Sequence, residues 1–165
     1  MIREVKLSDS GVIAEIYNYY IEKSTATFEE VPVTVSDMEK RIQEFKKDFP
    51  YLVYEENEEI VGYAYIHHYH PRSAYRFTLE DSIYLRNGFQ GRGIGKALLG
   101  ELLSKLNNNN VHAIIAAITL PNEKSIALHE SFGFKNVGIF KEVGKKFNEW
   151  RDVGYWEFLL HLSSG

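Results

Sequence analysis

The sequence predicts an α/β domain built on a mixed sheet, and three features carry that prediction. Runs of β-branched and aromatic residues are interspersed with segments whose apolar residues recur at helical spacing. A nearly continuous apolar run, Val111 to Leu120, lies between two helical segments, as expected of a strand covered on both faces. Glycines cluster at Gly88, Gly91, Gly93 and Gly95, between a strand and a helix.

Taken in order, Ile2 to Lys6 alternates and reads as a short strand. Ser8, Asp9 and Ser10 offer caps to a helix whose stripe is Ile13, Ile16, Tyr17, Tyr20 and Ile21. The rings in that stripe read as core or interface. Thr25 to Val33 is an irregular connection. Thr34 and Asp37 form a capping box for a second helix, marked by Met38, Ile42 and Phe45 and ending before Pro50. Tyr51 to Glu55 and Ile60 to Tyr69 are the arms of a hairpin turning at Asn57, and Pro71 breaks the longer arm. Phe77 to Leu85 is a further strand. Ile94, Leu98, Leu102 and Leu106 recur every fourth residue, so the glycines open a helix. The asparagine run 107–110 reads as a loop. Pro121 stops the apolar strand, Asn122 caps the next helix, and Gly133 ends it. Phe134 to Val143 and Val153 to Leu162 read as two closing strands. The order places hairpins at the front and a βαβ crossover in the middle.

The 165 residues make one domain, 1–165, with an ordinary balance of 44% apolar and 25% charged residues. The absence of cysteine excludes disulfide scaffolds, cysteine-based zinc sites, iron–sulfur clusters and a thiol nucleophile. A net charge of −4 argues against a nucleic-acid binder. The N-terminus has no apolar signal core, and the longest apolar run is about half of what crosses a bilayer, so the expectation is a soluble cytoplasmic protein with no membrane partner. His67, His68 and His70 invite a metal reading. His68 and His70 share a strand face with no carboxylate at ligand spacing, so no metal is expected.

The segment Gln90-Gly91-Arg92-Gly93-Ile94-Gly95-Lys96 has the makings of a phosphate cradle. Glycines admit close approach, and the free N–H groups and dipole of a helix start attract phosphate oxygens. Two common motifs fail. A Walker loop requires Gly at 90 and Ser or Thr at 97, where Gln90 and Ala97 stand, and a dinucleotide fingerprint requires a third glycine where Lys96 or Leu98 stands. Gln-x-x-Gly-x-Gly followed by Lys-Ala-Leu-Leu instead resembles the GNAT superfamily of N-acetyltransferases. The segment from Asn122 through Leu128-His129-Glu130 to Gly133-Phe134 is similar to that family's second signature. Arg72 to Leu85, Leu120-Pro121-Asn122 and Trp150 to Gly154 resemble its phosphinothricin acetyltransferase branch.

The resemblance spans essentially the whole chain. It implies the GNAT fold, a mixed, mostly antiparallel sheet of about six to seven strands with about four helices. It also implies acetyl-CoA as co-substrate, held by Ile83, Tyr84, Leu85, Gln90, Gly91, Arg92, Gly93, Ile94, Gly95, Lys96 and Asn122. The expected reaction is acetylation of the α-amine of a small amino acid or analogue, such as phosphinothricin, methionine sulfoximine or methionine sulfone, by direct transfer. Glu80 is the implied base and the Leu85 N–H the oxyanion donor. His129 stands where many members have a tyrosine acid, and an imidazole there serves as acid or base. Asp81 points to the opposite strand face, so the two carboxylates are not expected to share a site. Arg72 is the expected fork for a substrate carboxylate, with Phe28, Tyr75 and Phe77 as walls and Glu29 for the ammonium. A homodimer is expected from the branch and from the apolar strand Tyr155 to Leu162. Alternatives are a protein N-terminus or polyamine as acceptor, or a non-catalytic acyl-CoA-binding module.

Overall fold

The computed structural model describes residues 1–106 and 110–160. Its order of elements is the predicted one: β1 (Ile2–Glu4), α1 (Ser10–Lys23), α2 (Val35–Lys46), β2 (Tyr51–Glu56), β3 (Glu59–His68), β4 (Thr78–Leu85), α3 (Ile94–Ser104), β5 (Ala113–Thr119), α4 (Glu123–Ser131), β6 (Lys135–Lys146) and β7 (Glu149–Leu159). The seven strands form one sheet in the order β1-β2-β3-β4-β5-β7-β6. All neighbours are antiparallel except β4 and β5, which α3 joins as a crossover. Of the asparagine loop only Asn110 is described, and the last two residues of the strand predicted to Leu162 lie outside the described residues.

Two cores clasp the sheet. On one face Leu52, Ala64, Ile66, Leu79, Ile114 and Trp156 meet Leu98, Leu99 and Leu102 of α3. On the other, Tyr51, Val53 and Tyr63 meet Ile13, Ile16 and Ile21 of α1 and Met38 and Ile42 of α2. The Thr34–Asp37 capping box opens α2, with Asp37 N–H donating to Thr34 Oγ1 at 3.0 Å. Most of the tyrosines that enter a core enter the second one, where Tyr51 stacks on Tyr65 at 4.7 Å.

The closing hairpin differs from expectation. Its strands run to Lys146 and from Glu149, into a charged stretch that lay outside the two expected strands. Phe147 and Asn148 take left-handed φ of 53° and 63° and make a two-residue turn. The pairs Lys146↔Glu149 and Gly144↔Arg151 continue the ladder past a bulge at Phe140/Gly144. β6 is an edge strand with most side chains exposed, so no alternation marked it. β7 lies between β5 and β6, so the apolar strand from which a dimer was expected is interior to the sheet; the edges are β1 and β6.

Leu98 is fully buried where α3 meets the sheet. Leu98→Ala is expected to cost about 2–5 kcal/mol, read as a lower urea midpoint with unchanged slope.

Candidate active site

The site arises where β4 and β5 separate. Their parallel pairing covers only Thr78↔Ala113, Leu79↔Ile114 and Glu80↔Ile115, after which β4 continues to Leu85 and β5 to Thr119 without meeting. The wedge between them opens a cleft of about 1130 Å³, lined by Asp81–Leu85, by Ala116–Thr119, by the glycine loop and by α4.

Strand register aims the backbone into this opening. Arg86 N–H donates to the Val61 carbonyl at 2.8 Å, which makes Gly62↔Leu85 a non-hydrogen-bonded pair. Leu85, and by alternation Ile83, therefore turn N–H and C=O away from β3 toward the gap that β5 has left. The Tyr20 hydroxyl donates to the Leu85 carbonyl, while the Leu85 N–H faces the cleft. Tyr20 also accepts a bond from Gln90 Nε2 at 3.2 Å, and Gln90 Oε1 accepts from Gly88 N–H at 2.9 Å. One phenol from α1 thus ties the end of β4 to the glycine loop.

In that loop Gly91 and Gly93 have φ of 77° and 80°, a conformation glycine adopts without strain. Gly93 is the N-cap of α3 and offers no side-chain cap, so the first-turn N–H groups of Ile94, Gly95 and Lys96 lack the usual acceptor. Gln90, Gly91, Gly93, Ile94, Gly95 and Lys96 all line the cleft. Arg92 does not: its guanidinium bonds Glu56 at 2.7 Å and lies over the Phe89 ring. Asn122 lines the cleft while accepting the Ser125 N–H at 3.2 Å as the α4 cap.

Glu80 lies at the apex of the wedge, largely buried. Burial, with the Asp81 charge beside it, pushes its carboxyl up from 4.5 to about 7. From the neighbouring strand β3, on the same face, His67 Nε2 stands 4.0 Å from Glu80 Oε2.

Asp81 and His129 depart from expectation. The two carboxylates do point to opposite faces, yet both border the cleft, because the parted sheet exposes both faces of β4 to one opening. Asp81 Oδ2 lies 2.6 Å from His129 Nε2, and His129 Nδ1 donates to the Ser125 carbonyl at 2.7 Å. Both ring nitrogens therefore face acceptors. Burial disfavours the imidazolium, but the charge and hydrogen bond of Asp81 and the Ser125 carbonyl outweigh it and raise the pKa. Two acceptors thus fix the orientation of the His129 ring and favour its protonated form.

The expected substrate residues are only partly gathered. Phe28 lines the cleft and packs its ring on Gly144. Glu29 is engaged elsewhere: Arg41 grips it at 2.7 and 2.8 Å and the Tyr17 hydroxyl donates to it, so it is no partner for an ammonium. Arg72, Tyr75 and Phe77 lie outside the lining. Tyr75 packs against His70, and Phe77 lies under Arg76, in the exposed loop after β3. Among the described residues the cations lining the cleft are Lys96 and Lys124.

Sequence reasoning missed Tyr20, Asp81 and Lys146. Buried Lys146 donates to the Tyr20, Ser24 and Thr27 carbonyls at 3.2, 2.6 and 2.8 Å, and so pins the connection that carries Phe28. Tyr20 sat in a stripe that looked like core, Asp81 was discounted by strand parity, and nothing local marks Lys146. No group of three metal-ligating side chains occurs among the described residues.

A wedge between parted strands, an open helix N-terminus at one end and a half-buried carboxylate at its apex make a cleft suited to an extended, anionic ligand. The acetyltransferase (GNAT) domain model matches residues 2–154, and the chain belongs to this family of acetyltransferases. It is similar to phosphinothricin N-acetyltransferase of Alcaligenes faecalis, 40% identical over 154 residues, covering 92% of this chain and 78% of that protein. It is 32% identical to an L-methionine sulfoximine/L-methionine sulfone acetyltransferase of Pseudomonas paraeruginosa, covering 96% of this chain and 94% of the relative. The structure of a phosphinothricin acetyltransferase from Sinorhizobium meliloti in complex with acetyl-CoA superposes with a TM-score of 0.93 at 36% identity, covering 97% of this chain and 88% of that one.

Asp81→Ala removes one partner of a buried pair and is expected to cost about 3–5 kcal/mol in urea denaturation. Because the His129 pKa is raised on folding, the part of the gap due to its charge is complete below about pH 6.5 and is lost as pH rises through the raised value.

Proposed function

We propose that this acetyltransferase transfers the acetyl group of acetyl-CoA to the α-amine of a small amino acid or analogue of the phosphinothricin, methionine sulfoximine or methionine sulfone type. The reading is carried by Glu80, a carboxylate with its pKa raised to about 7 at the apex of the cleft, three strand residues from Ile83 and five from the Leu85 N–H. A carboxylate near 4.5 is too weak a base for an ammonium; one near 7 is matched to neutral pH.

Transfer is direct. The chain has no cysteine to carry an acyl group. Glu80 takes a proton from the ammonium, through water or directly, and the freed amine attacks the thioester carbonyl. The Leu85 N–H holds the developing oxyanion. The pyrophosphate of acetyl-CoA sits on the first-turn N–H groups of α3 near Lys96, as anions do at helix starts. His129, fixed by Asp81, stands at the cleft wall as an acid or a base. The names of the relatives support the substrate class. The finer substrate contacts assigned to Arg72, Tyr75, Phe77 and Glu29 are not carried forward.

A homodimer is part of the proposal. Phe140 and Val143 on the β6 edge, Phe147 in its turn and Trp150 at the start of β7 are each more than half exposed, an apolar patch that a second copy would cover. Sedimentation as a monomer at micromolar concentration contradicts it. A cytoplasmic location is proposed on the same footing; among the described residues no helix is long and apolar enough to cross a membrane.

The test is thiol release from acetyl-CoA with methionine sulfone, phosphinothricin, a polyamine and an N-terminal peptide as acceptors. The first two are expected to turn over; turnover of the peptide or polyamine alone overturns the substrate class. Glu80→Gln is expected to lower kcat/KM by about 10²–10⁴-fold and to abolish the limb that rises through pH 7. The native state holds the Glu80 proton more tightly than the unfolded chain does, so stability falls as pH rises from 4.5 to about 7. Glu80→Gln is therefore expected to melt higher than the parent protein at about pH 8.

A further inference from the structure

We propose that His67 is the proton exit of this acetyltransferase, taking from Glu80, on the side away from the cleft, the proton that each turnover must release. The inference rests on Glu80 acting as the base.

The stoichiometry demands such an exit. An ammonium that becomes an amide loses two protons. The nitrogen lone pair forms the new C–N bond, the C–S pair leaves with sulfur, and the sulfur takes one of the two protons. The other is left on Glu80 and has to reach solvent before the next cycle.

The geometry supplies the route. Glu80 lines the cleft and His67 does not. With donor and acceptor seated, the cleft side of Glu80 is occupied and the other side remains. There the register pairs His67 directly with Glu80 across β3 and β4, and His67 Nε2 stands 4.0 Å from Glu80 Oε2, a span that a small rotation or one water closes. The tautomer is set by the backbone. Nδ1 lies 2.9 Å from the His68 carbonyl, which can only accept, so the proton sits on Nδ1 and the Nε2 lone pair is turned to Glu80. The ring is held between Phe45 of α2, at 5.1 Å, and Tyr65, at 5.7 Å. About a quarter of the side chain reaches solvent, which completes the path.

The charges around it keep the relay poised. Burial lowers the His67 pKa, opposed by the His68 carbonyl bond and by Asp81 and Glu44, while neighbouring His68 lowers it further. An imidazolium formed there is a ready acid toward water, and Glu80 is left ionised.

The test separates the first turnover from those that follow, with acetyl-CoA and methionine sulfone at a pH above the Glu80 value. His67→Ala, and His67→Gln as a second variant that retains bulk and polarity, are expected to form the first product at the parent rate, one per site. Steady-state kcat should then fall by about 10²-fold, the low end for a positioned proton carrier. Added imidazole should restore steady-state kcat in His67→Ala and leave the first turnover unchanged. Unchanged kcat in both variants overturns the proposal. So does a first turnover slowed as much as the steady state, which marks a structural role. Glu80→Gln is expected to lose the first turnover itself. If the parent protein releases no thiol with any amine, the reading of Glu80 falls and this inference with it.

Discussion

Parallel pairing between β4 and β5 lasts three residues, and every feature of the site depends on where it stops. Paired strands satisfy each other's N–H and C=O groups; parted strands leave them directed into a gap. The gap converts the end of β4 from sheet into a row of donors and acceptors, with Leu85 N–H among them. It also exposes both faces of β4 at once. Glu80 and Asp81, neighbours that an intact sheet would hold on separate surfaces, come to border a single cleft. The crossover helix α3 starts at the open end of the same gap, so its N-terminus lies where the wedge is widest.

The two adjacent carboxylates show how environment divides roles. Asp81 is buried against His129 and spends its charge on that ring, which in turn is anchored to the Ser125 carbonyl. Glu80 has no cation bonded to it, only a neutral imidazole at 4.0 Å and the negative charge of Asp81 alongside. Burial and like charge act in the same direction and leave Glu80 able to hold and release a proton near neutral pH. Asp81 thus acts twice, as anchor for His129 on one face and as a repelling charge for Glu80 on the other.

The approach to the cleft is braced from distant parts of the chain. Tyr20 spans from α1 to Leu85 and Gln90, and Lys146 reaches from the β6 edge to three carbonyls at the end of α1. A buried ammonium is tolerated there because each carbonyl carries a partial negative charge and the helix C-terminus adds its own. These contacts link residues 65 to 126 positions apart, and no local pattern encodes them.

Glu80 as a candidate base was legible only through the resemblance to the acetyltransferase family, whereas the order of strands and helices, the glycine cradle and the cap at Asn122 were legible in the residues themselves. Each depends on short-range rules: alternation, helical spacing, capping and the backbone freedom of glycine. The closing hairpin was misjudged at its tip, because an edge strand exposed on most sides shows no alternation and its turn rests on Phe147 and Asn148 in left-handed conformations. The tertiary structure alone decided which polar groups meet. It turned Glu29 to Arg41 and Arg92 to Glu56, left Arg72, Tyr75 and Phe77 outside the cleft, joined Asp81 to His129 and set His67 beside Glu80. Charged side chains are long and find partners across space, whereas the periodicities legible in a sequence describe only which face a residue occupies.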